Sequence, residues 1–136
     1  MANPDRKLIA AIVAPLLIWP FVPPWDAGYL GDGDVRVLAL FLLLPVAEEV
    51  VFRGVLQGWL LRLASFKQAR FGITGANLAT SFAFALAHLW QHPAWLFPGY
   101  FAVSLVLGYF RERYGGVMVP ILLHSYYNLG LWVFAG

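Results

Sequence analysis

The strongest constraint on this chain is a series of five long apolar segments, separated by short stretches rich in Pro, Gly or charged residues. The apolar segments cover about residues 8–22, 35–63, 73–89, 95–110 and 117–134. The turn-rich stretches between them are predicted to be loops, and they cover residues 23–34, 65–72, 90–93 and 111–116. A helix needs about 20 apolar residues to cross the hydrocarbon core of a bilayer, and each segment reaches or approaches that length. We therefore predict an all-α fold, a polytopic membrane helix bundle of about five transmembrane helices.

The shortage of charge supports a bilayer environment. Charged residues make up 12% of the 136 residues and hydrophobic residues make up 61%. A soluble domain carries about 25% charged residues, because water must cover its surface. The net charge of +2 is too small to indicate a nucleic-acid partner, and the absence of cysteine excludes disulfides and thiolate metal sites. We expect a single domain over residues 1–136, with the lipid bilayer as its surroundings.

The basic residues predict the orientation. If successive loops alternate sides, seven of the nine lysines and arginines fall on the side of the N-terminus. The positive-inside rule then places the N-terminus in the cytoplasm and the C-terminus outside, in a multi-pass protein of the inner or plasma membrane. The basic start followed by an apolar core resembles a signal peptide, but no small-x-small cleavage site follows. We expect an uncleaved first span.

The stretch PVAEEVVFRGV, residues 45–55, places three charged residues inside the second apolar segment. A charge at that depth costs about 2.5–3.5 kcal/mol, so such residues usually pair or face a polar cavity. Glu49 and Arg53 are four residues apart and share one helix face, which predicts an ion pair. Glu48 lies about 100° around the helix from this pair. Its carboxyl group must therefore protonate or find a partner on another helix.

Two other segments carry polar groups that could meet Glu48. His88 ends the segment SFAFALAH, with Phe84 one turn before it. The last segment contains HSYYN, which places His124 and Asn128 four residues apart on one face. A glutamate, two histidines and an asparagine are the residue types needed to activate water and to stabilise an oxyanion. His92 falls in a predicted outer loop and is a weaker candidate.

Each pattern also has a purely structural interpretation. Glu49 and Arg53 could form an ion pair that only stabilises the fold, and His88 could be an interfacial histidine. Ser81 and Asn128 could form hydrogen bonds between helices. Glycines within the apolar segments indicate close helix packing, and they are Gly54, Gly58, Gly108 and Gly130. The joint occurrence of the three polar patterns favours a functional site.

The three patterns, in this order, resemble those of a known family. EEVVFR at 48–53 is similar to the EExxxR motif of the CAAX protease and bacteriocin-processing family of intramembrane proteases, which includes the Ras-converting CAAX endopeptidases. FALAH at 84–88 resembles the family's FxxxH motif, and HSYYN at 124–128 resembles its HxxxN motif. The motif-bearing core covers about residues 37–130. Family members commonly have eight helices, so this shorter chain leaves oligomerisation open.

The resemblance implies a role for each motif residue. Glu48 would be the general base that polarises a water molecule, with His88 assisting it. His124 and Asn128 would donate hydrogen bonds to the tetrahedral oxyanion. Glu49, Arg53 and Phe84 would support the helices and the cavity. The substrate implied is a membrane-anchored peptide or protein, such as a leader or sorting peptide.

Alternatives remain at the level of the sequence. Two glutamates and two histidines could hold zinc, but no HExxH motif is present and Glu49 is expected to pair with Arg53, so we expect no cofactor. The chain could instead be a non-enzymatic immunity or scaffold protein of the same family. It could also be a small proton-coupled carrier that uses Glu48 and His88 as a relay. Loss of Glu48 would leave an immunity scaffold active, whereas it would inactivate a protease.

Overall fold

The chain is mainly helical in a computed structural model, which describes residues 5–21, 39–90 and 92–135. This part of the chain contains six helices and one two-stranded hairpin, in accord with the predicted all-α class. We number the helical segment 39–60 as α2. The other elements are α1 (Arg6–Ile18), α3 (Ala64–Lys67), β1 (Ala69–Arg70), β2 (Ile73–Thr74), α4 (Gly75–His88), α5 (Phe97–Tyr114) and α6 (Met118–Ala135). None of the helices in the described ranges has both the length and the apolar character that a membrane crossing requires.

Local sequence signals explain where several helices begin and end. Asp5 caps α1, because its side chain accepts a hydrogen bond from the Lys7 backbone N–H at 3.1 Å. Thr74 caps α4 in the same way by accepting from the Asn77 N–H at 3.0 Å. Helix α5 ends at Gly115, whose φ of 71° lies in the left-handed region that glycine adopts without strain.

Helix α2 is irregular along its length. It begins with π-helical turns over Ala39–Leu43, continues as α-helix over Leu44–Glu49, and returns to π-helix over Val50–Gln57. One short α-helical turn, Gly58–Leu60, completes it. Stretches of π-helix are rare and occur frequently at functional sites. Two adjacent glutamates, Glu48 and Glu49, lie directly before the second π-helical stretch.

The hairpin between α3 and α4 replaces part of a predicted loop. Strands β1 and β2 pair antiparallel, with Ala69 opposite Thr74 and Arg70 opposite Ile73. The two turn residues, Phe71 and Gly72, have φ values of 54° and 82°. Positive φ at both positions is the signature of a type I′ turn, which matches the twist of a hairpin. The prediction that residues 65–72 form a loop is therefore wrong in part.

Several predicted bounds change. The fourth apolar segment was expected to end near Phe110 and to be followed by a loop RERYGG, but α5 continues through Arg111 to Tyr114. The predicted outer loop at 23–34 lies outside the described residues. The chain divides into two compact units. The expectation of one domain over residues 1–136 stays a prediction.

The unit formed by residues 47–121 is built around α4 and α5, which pack against each other along their lengths. The apolar core of this unit includes Ala76, Phe84, Leu107 and Phe110, each at most 2% exposed. Gly108 permits the close approach of the two helices, since a Cβ atom there would collide with the Asn77 side chain.

The second unit combines residues 1–46 with residues 122–136. Trp19 is buried here, with its ring against Tyr126 at 5.1 Å and Phe134 at 5.8 Å between centroids. A Cβ atom on Gly130 would collide with the Trp19 ring, so this glycine is a close-packing position. By contrast, Gly54 and Gly58 have only ordinary contacts, at 3.6 Å and 3.5 Å from an added Cβ.

Candidate active site

Glu49 and Arg53 form a fully buried ion pair on α2. The Arg53 Nε lies 3.2 Å from Glu49 Oε2, and both side chains are 0% exposed. This is the pair that the four-residue spacing predicts, and it forms although Arg53 lies in a π-helical stretch. Burying one of these charges without the other would carry a large desolvation cost. The pair is therefore a fixed part of the unit's interior, and its supporting role in a reaction stays a prediction.

Helix α5 completes the surroundings of the guanidinium group. Arg53 Nη2 donates to the Ser104 hydroxyl at 2.9 Å and to the Ser104 carbonyl at 3.3 Å. The Arg53 guanidinium carbon also lies 4.7 Å from the centroid of the Phe84 ring on α4, in the range of a cation–π contact. Arg53 thus connects α2 with both α4 and α5.

A second set of hydrogen bonds lies one helical turn further along α2 and reaches the start of α4. Gln57, one turn after Arg53, donates to the Gly108 carbonyl at 3.1 Å and to Glu112 Oε1 at 2.7 Å. The Thr74 hydroxyl donates to the same Glu112 oxygen at 2.6 Å. Residues 49, 53 and 57 therefore present three polar side chains from one helix to the interior of the 47–121 unit. Sequence reasoning missed Gln57, although its spacing from Arg53 could have indicated it.

His88 is held at the C-terminal end of α4. Its Nδ1 lies 2.9 Å from the Phe84 carbonyl oxygen. A carbonyl oxygen can only accept, so this bond requires that Nδ1 carries the hydrogen. The neutral imidazole then has its lone pair on Nε2, the nitrogen that can accept a proton or a hydrogen bond.

Glu48 and His88 line one pocket. Phe52 and Ala87 complete its lining, and its volume is about 110 Å³. A single water occupies about 30 Å³ in the liquid, so the pocket has room for a water molecule beside the two polar groups. Glu48 is half-buried, as is His88. A carboxylate and an imidazole that line a space large enough for water are the elements of general base catalysis.

His124 and Asn128 lie on α6, in the unit that combines residues 1–46 and 122–136. His124 is 6% exposed and Asn128 is half-buried. Their four-residue spacing within one continuous helix places them on a common face, as expected. That these two residues share a cavity with Glu48 and His88 stays a prediction.

Two further residues near the site had no sequence signal. Tyr100 contacts the His88 ring at 4.4 Å between centroids, and Ser104 holds Arg53. Both belong to α5, which carries none of the motifs, and a single Tyr or Ser in an apolar helix has many structural uses. Among the described residues, no three His, Asp or Glu side chains are grouped so that they could hold a metal ion.

Comparison with known proteins gives two matches and one negative result. A family model described as "Type II CAAX prenyl endopeptidase Rce1-like" matches residues 34–130. An Escherichia coli protein described as "Uncharacterized 24.3 kDa protein" is 33% identical over 96 residues, which cover 68% of this chain and 41% of that protein. The chain therefore spans about two fifths of the length of this relative. No solved structure matches the chain.

Proposed function

Because the chain belongs to the type II CAAX prenyl endopeptidase Rce1-like family, we propose that it is an intramembrane endopeptidase that hydrolyses a membrane-anchored peptide or protein. The observation that carries this proposal is the pocket shared by Glu48 and His88. It combines a carboxylate, an imidazole nitrogen able to accept a proton, and room for water. These three features together suit hydrolysis better than a purely structural role.

In the proposed mechanism, Glu48 is the general base. The pocket water attacks the carbonyl carbon of the scissile peptide bond and gives its proton to the Glu48 carboxylate. His88 orients this water through Nε2, the nitrogen that carries the lone pair when Nδ1 donates to the Phe84 carbonyl. When the tetrahedral intermediate collapses, the carbon–nitrogen bond breaks and the proton passes to the leaving amine. Placed general bases typically contribute about 10²–10⁴-fold to a rate.

His124 and Asn128 are the proposed oxyanion donors. The developing negative charge on the carbonyl oxygen needs hydrogen-bond donors that are already oriented before the reaction. An asparagine amide and an imidazole N–H on one helix face can supply two such donors. Removing one donor of this kind costs about 10²–10³-fold in kcat in other hydrolases.

Glu49, Arg53 and Phe84 support the site without contacting substrate. The Glu49–Arg53 pair and the contact of Arg53 with Phe84 fix α2 against α4, which carry Glu48 and His88 respectively. No metal ion is needed in this mechanism, because the carboxylate activates water directly.

We also propose that the protein is embedded in a cell membrane, with the N-terminus in the cytoplasm and the C-terminus outside. The five apolar segments and the distribution of basic residues support this orientation. A substrate anchored in the same bilayer would reach the site by lateral diffusion.

The proposal is tested by comparing membrane proteomes of cells that express the wild-type chain or the Glu48→Gln variant. Glu48→Gln keeps the size of the side chain and removes the base, so we expect at least one uncleaved precursor to accumulate, with processing reduced at least 100-fold. Glu112→Gln is the matched control, since it makes the same exchange on α5 outside the pocket. Normal processing by Glu48→Gln would contradict the proposal and would favour an immunity or scaffold role.

A further inference from the structure

The His88 imidazole has aromatic neighbours from two helices. The Phe84 ring on α4 lies 4.3 Å away between centroids, tilted by 35°. The Tyr100 ring on α5 lies 4.4 Å away, tilted by 30°. Two rings this close and this nearly parallel to the imidazole cannot occupy the same face without colliding. The imidazole therefore lies between them.

The edge of the imidazole is fixed as well. Its Nδ1 is bonded to the Phe84 carbonyl at 2.9 Å, which prevents rotation of the ring about its bond to Cβ. The Phe84 ring is itself held, because it meets the Arg53 guanidinium at 4.7 Å and the Phe52 ring at 5.1 Å. One side of His88 therefore rests on an anchored ring. Tyr100 provides the contact on the other side.

We propose that Tyr100 is a positioning residue whose ring keeps the His88 imidazole in the orientation and tautomer that place Nε2 at the pocket shared with Glu48. This inference rests on the proposed function, in which His88 orients the attacking water. Tyr100 lies in the first turn of α5, four residues before Ser104, which holds Arg53. One face of α5 thus fixes both the ion pair and the histidine.

The contact between Tyr100 and His88 is made by the two rings. The centroid distance of 4.4 Å and the tilt of 30° describe a close contact between two rings, which depends on the aromatic surface. Tyr100→Phe keeps this surface, whereas Tyr100→Leu and Tyr100→Met remove the ring and keep a large apolar side chain. Tyr100→Phe should therefore keep the orientation of the His88 imidazole, whereas Tyr100→Leu and Tyr100→Met should lose it.

The test uses the full chain in detergent micelles, labelled with ¹⁵N at histidine. The chain has only three histidines, and His92→Gln and His124→Gln variants assign the signals. At pH 8 the wild type, Tyr100→Phe and the control Tyr109→Leu should show His88 protonated at Nδ1. Tyr109 lies on the same helix and lines a separate apolar cavity with Phe71 and Leu105.

In Tyr100→Leu and Tyr100→Met, we expect the Nε2-protonated form of His88 to increase several-fold, and precursor processing in cells to fall about tenfold. Two ring-less variants are used so that a folding defect in one, detected as a lowered thermal midpoint, does not prevent the test. A wild-type His88 spectrum in a folded ring-less variant would overturn the inference. So would an Nε2-protonated His88 in the wild type.

Failure of the proposed function gives a different result. If Glu48→Gln processes every protein as the wild type does, the endopeptidase proposal is wrong. The histidine spectra do not require turnover, so they still decide whether Tyr100 holds His88. A ring-less variant with normal processing and an altered His88 spectrum would show that Tyr100 orients the imidazole but that His88 does not act in the reaction.

Discussion

The two compact units differ in the polar interactions that connect their helices. In residues 47–121, whole charged and amide side chains are removed from solvent, and Glu49, Arg53 and Gln57 are each 0% exposed. In the described part of the unit of residues 1–46 and 122–136, the hydroxyls of Tyr126 and Tyr127 donate hydrogen bonds to backbone carbonyls of α1. The first arrangement depends on matched charges, whereas the second depends on single neutral hydrogen bonds. The two units should therefore respond very differently to the loss of one partner.

The tyrosine bonds have a specific cause in the sequence. Pro15 lies inside α1 and has no backbone N–H, so it cannot donate to the carbonyl of Ala11, four residues earlier. The Tyr127 hydroxyl donates to that carbonyl at 3.0 Å. Tyr126 donates to the next carbonyl, that of Ile12, at 2.9 Å. The Ile12 carbonyl faces a normal helical donor, the Leu16 N–H. Tyr126 therefore adds a second donor to the Ile12 carbonyl, whereas Tyr127 supplies the donor that Pro15 lacks.

The largest expected effect is the loss of stability on breaking the buried ion pair. Glu49→Gln removes the carboxylate and leaves the Arg53 charge buried, which costs about 3–5 kcal/mol in comparable pairs. We expect a strongly lowered thermal midpoint in detergent, followed by the fluorescence of the chain's six tryptophans.

Glu48→Gln is the matched control for this experiment, because it makes the same change one residue earlier at a half-buried position. It should leave the midpoint almost unchanged while it abolishes processing. If Glu49→Gln were as stable as the wild type and Glu48→Gln were strongly destabilised, the roles assigned to the two glutamates would have to be exchanged.

The motif residues of the 47–121 unit were readable from the sequence because helix spacing decides their geometry. Residues 49 and 53 had to share a face, and the structure places them 3.2 Å apart. The FALAH segment placed Phe84 one turn before His88, and the centroids of the two rings lie 4.3 Å apart in the structure. The sequence also predicted the helical class and the order of the main helices.

Other features depend on interactions that a single sequence does not display. The π-helical turns of α2 have no composition signal, because the same residues form ordinary α-helix elsewhere. Phe71 in a type I′ turn runs against the usual preference for Asn or Gly at that position, so the hairpin was missed. The extension of α5 through Arg111 reflects a tertiary bond, since Arg111 Nε donates to the Arg53 carbonyl at 3.1 Å.

A smaller effect is expected in the other unit from Tyr127→Phe. This change leaves the Ala11 carbonyl without its donor in a part-buried position, at a cost of about 0.5–1.5 kcal/mol. Tyr126→Phe should cost less, because the Ile12 carbonyl keeps its helical bond. Thermal unfolding of the two variants, measured side by side, gives the comparison.

A double-mutant cycle identifies the cause of that difference. Pro15→Ala restores a backbone N–H that can donate to the Ala11 carbonyl, so the cost of Tyr127→Phe should fall in the Pro15→Ala background. The cost of Tyr126→Phe should be the same in both backgrounds. Equal costs of Tyr127→Phe with and without Pro15 would show that the hydroxyl does not serve the carbonyl that proline leaves open.

The smallest effect concerns a group of the 47–121 unit that is only partly buried. His92 lies in the connection between α4 and α5, where burial lowers its pKa below the usual 6.5. The Tyr100 ring lies 5.4 Å from His92 and the His88 ring lies 6.1 Å away. The unfolded chain therefore binds a proton at His92 more readily than the folded chain does. The resulting stability is fully present above about pH 6.5 and is lost as the pH falls through the folded pKa.

The free energy of unfolding should consequently rise with pH between about pH 5 and 7, and His92→Gln should make this rise shallower. The other two histidines remain in both proteins, so the difference between the two pH profiles isolates His92. Because His92 is half-exposed, the difference should be far smaller than the cost of Glu49→Gln. Identical profiles for the wild type and His92→Gln would show that the penalty for charge in this unit is confined to its fully buried residues.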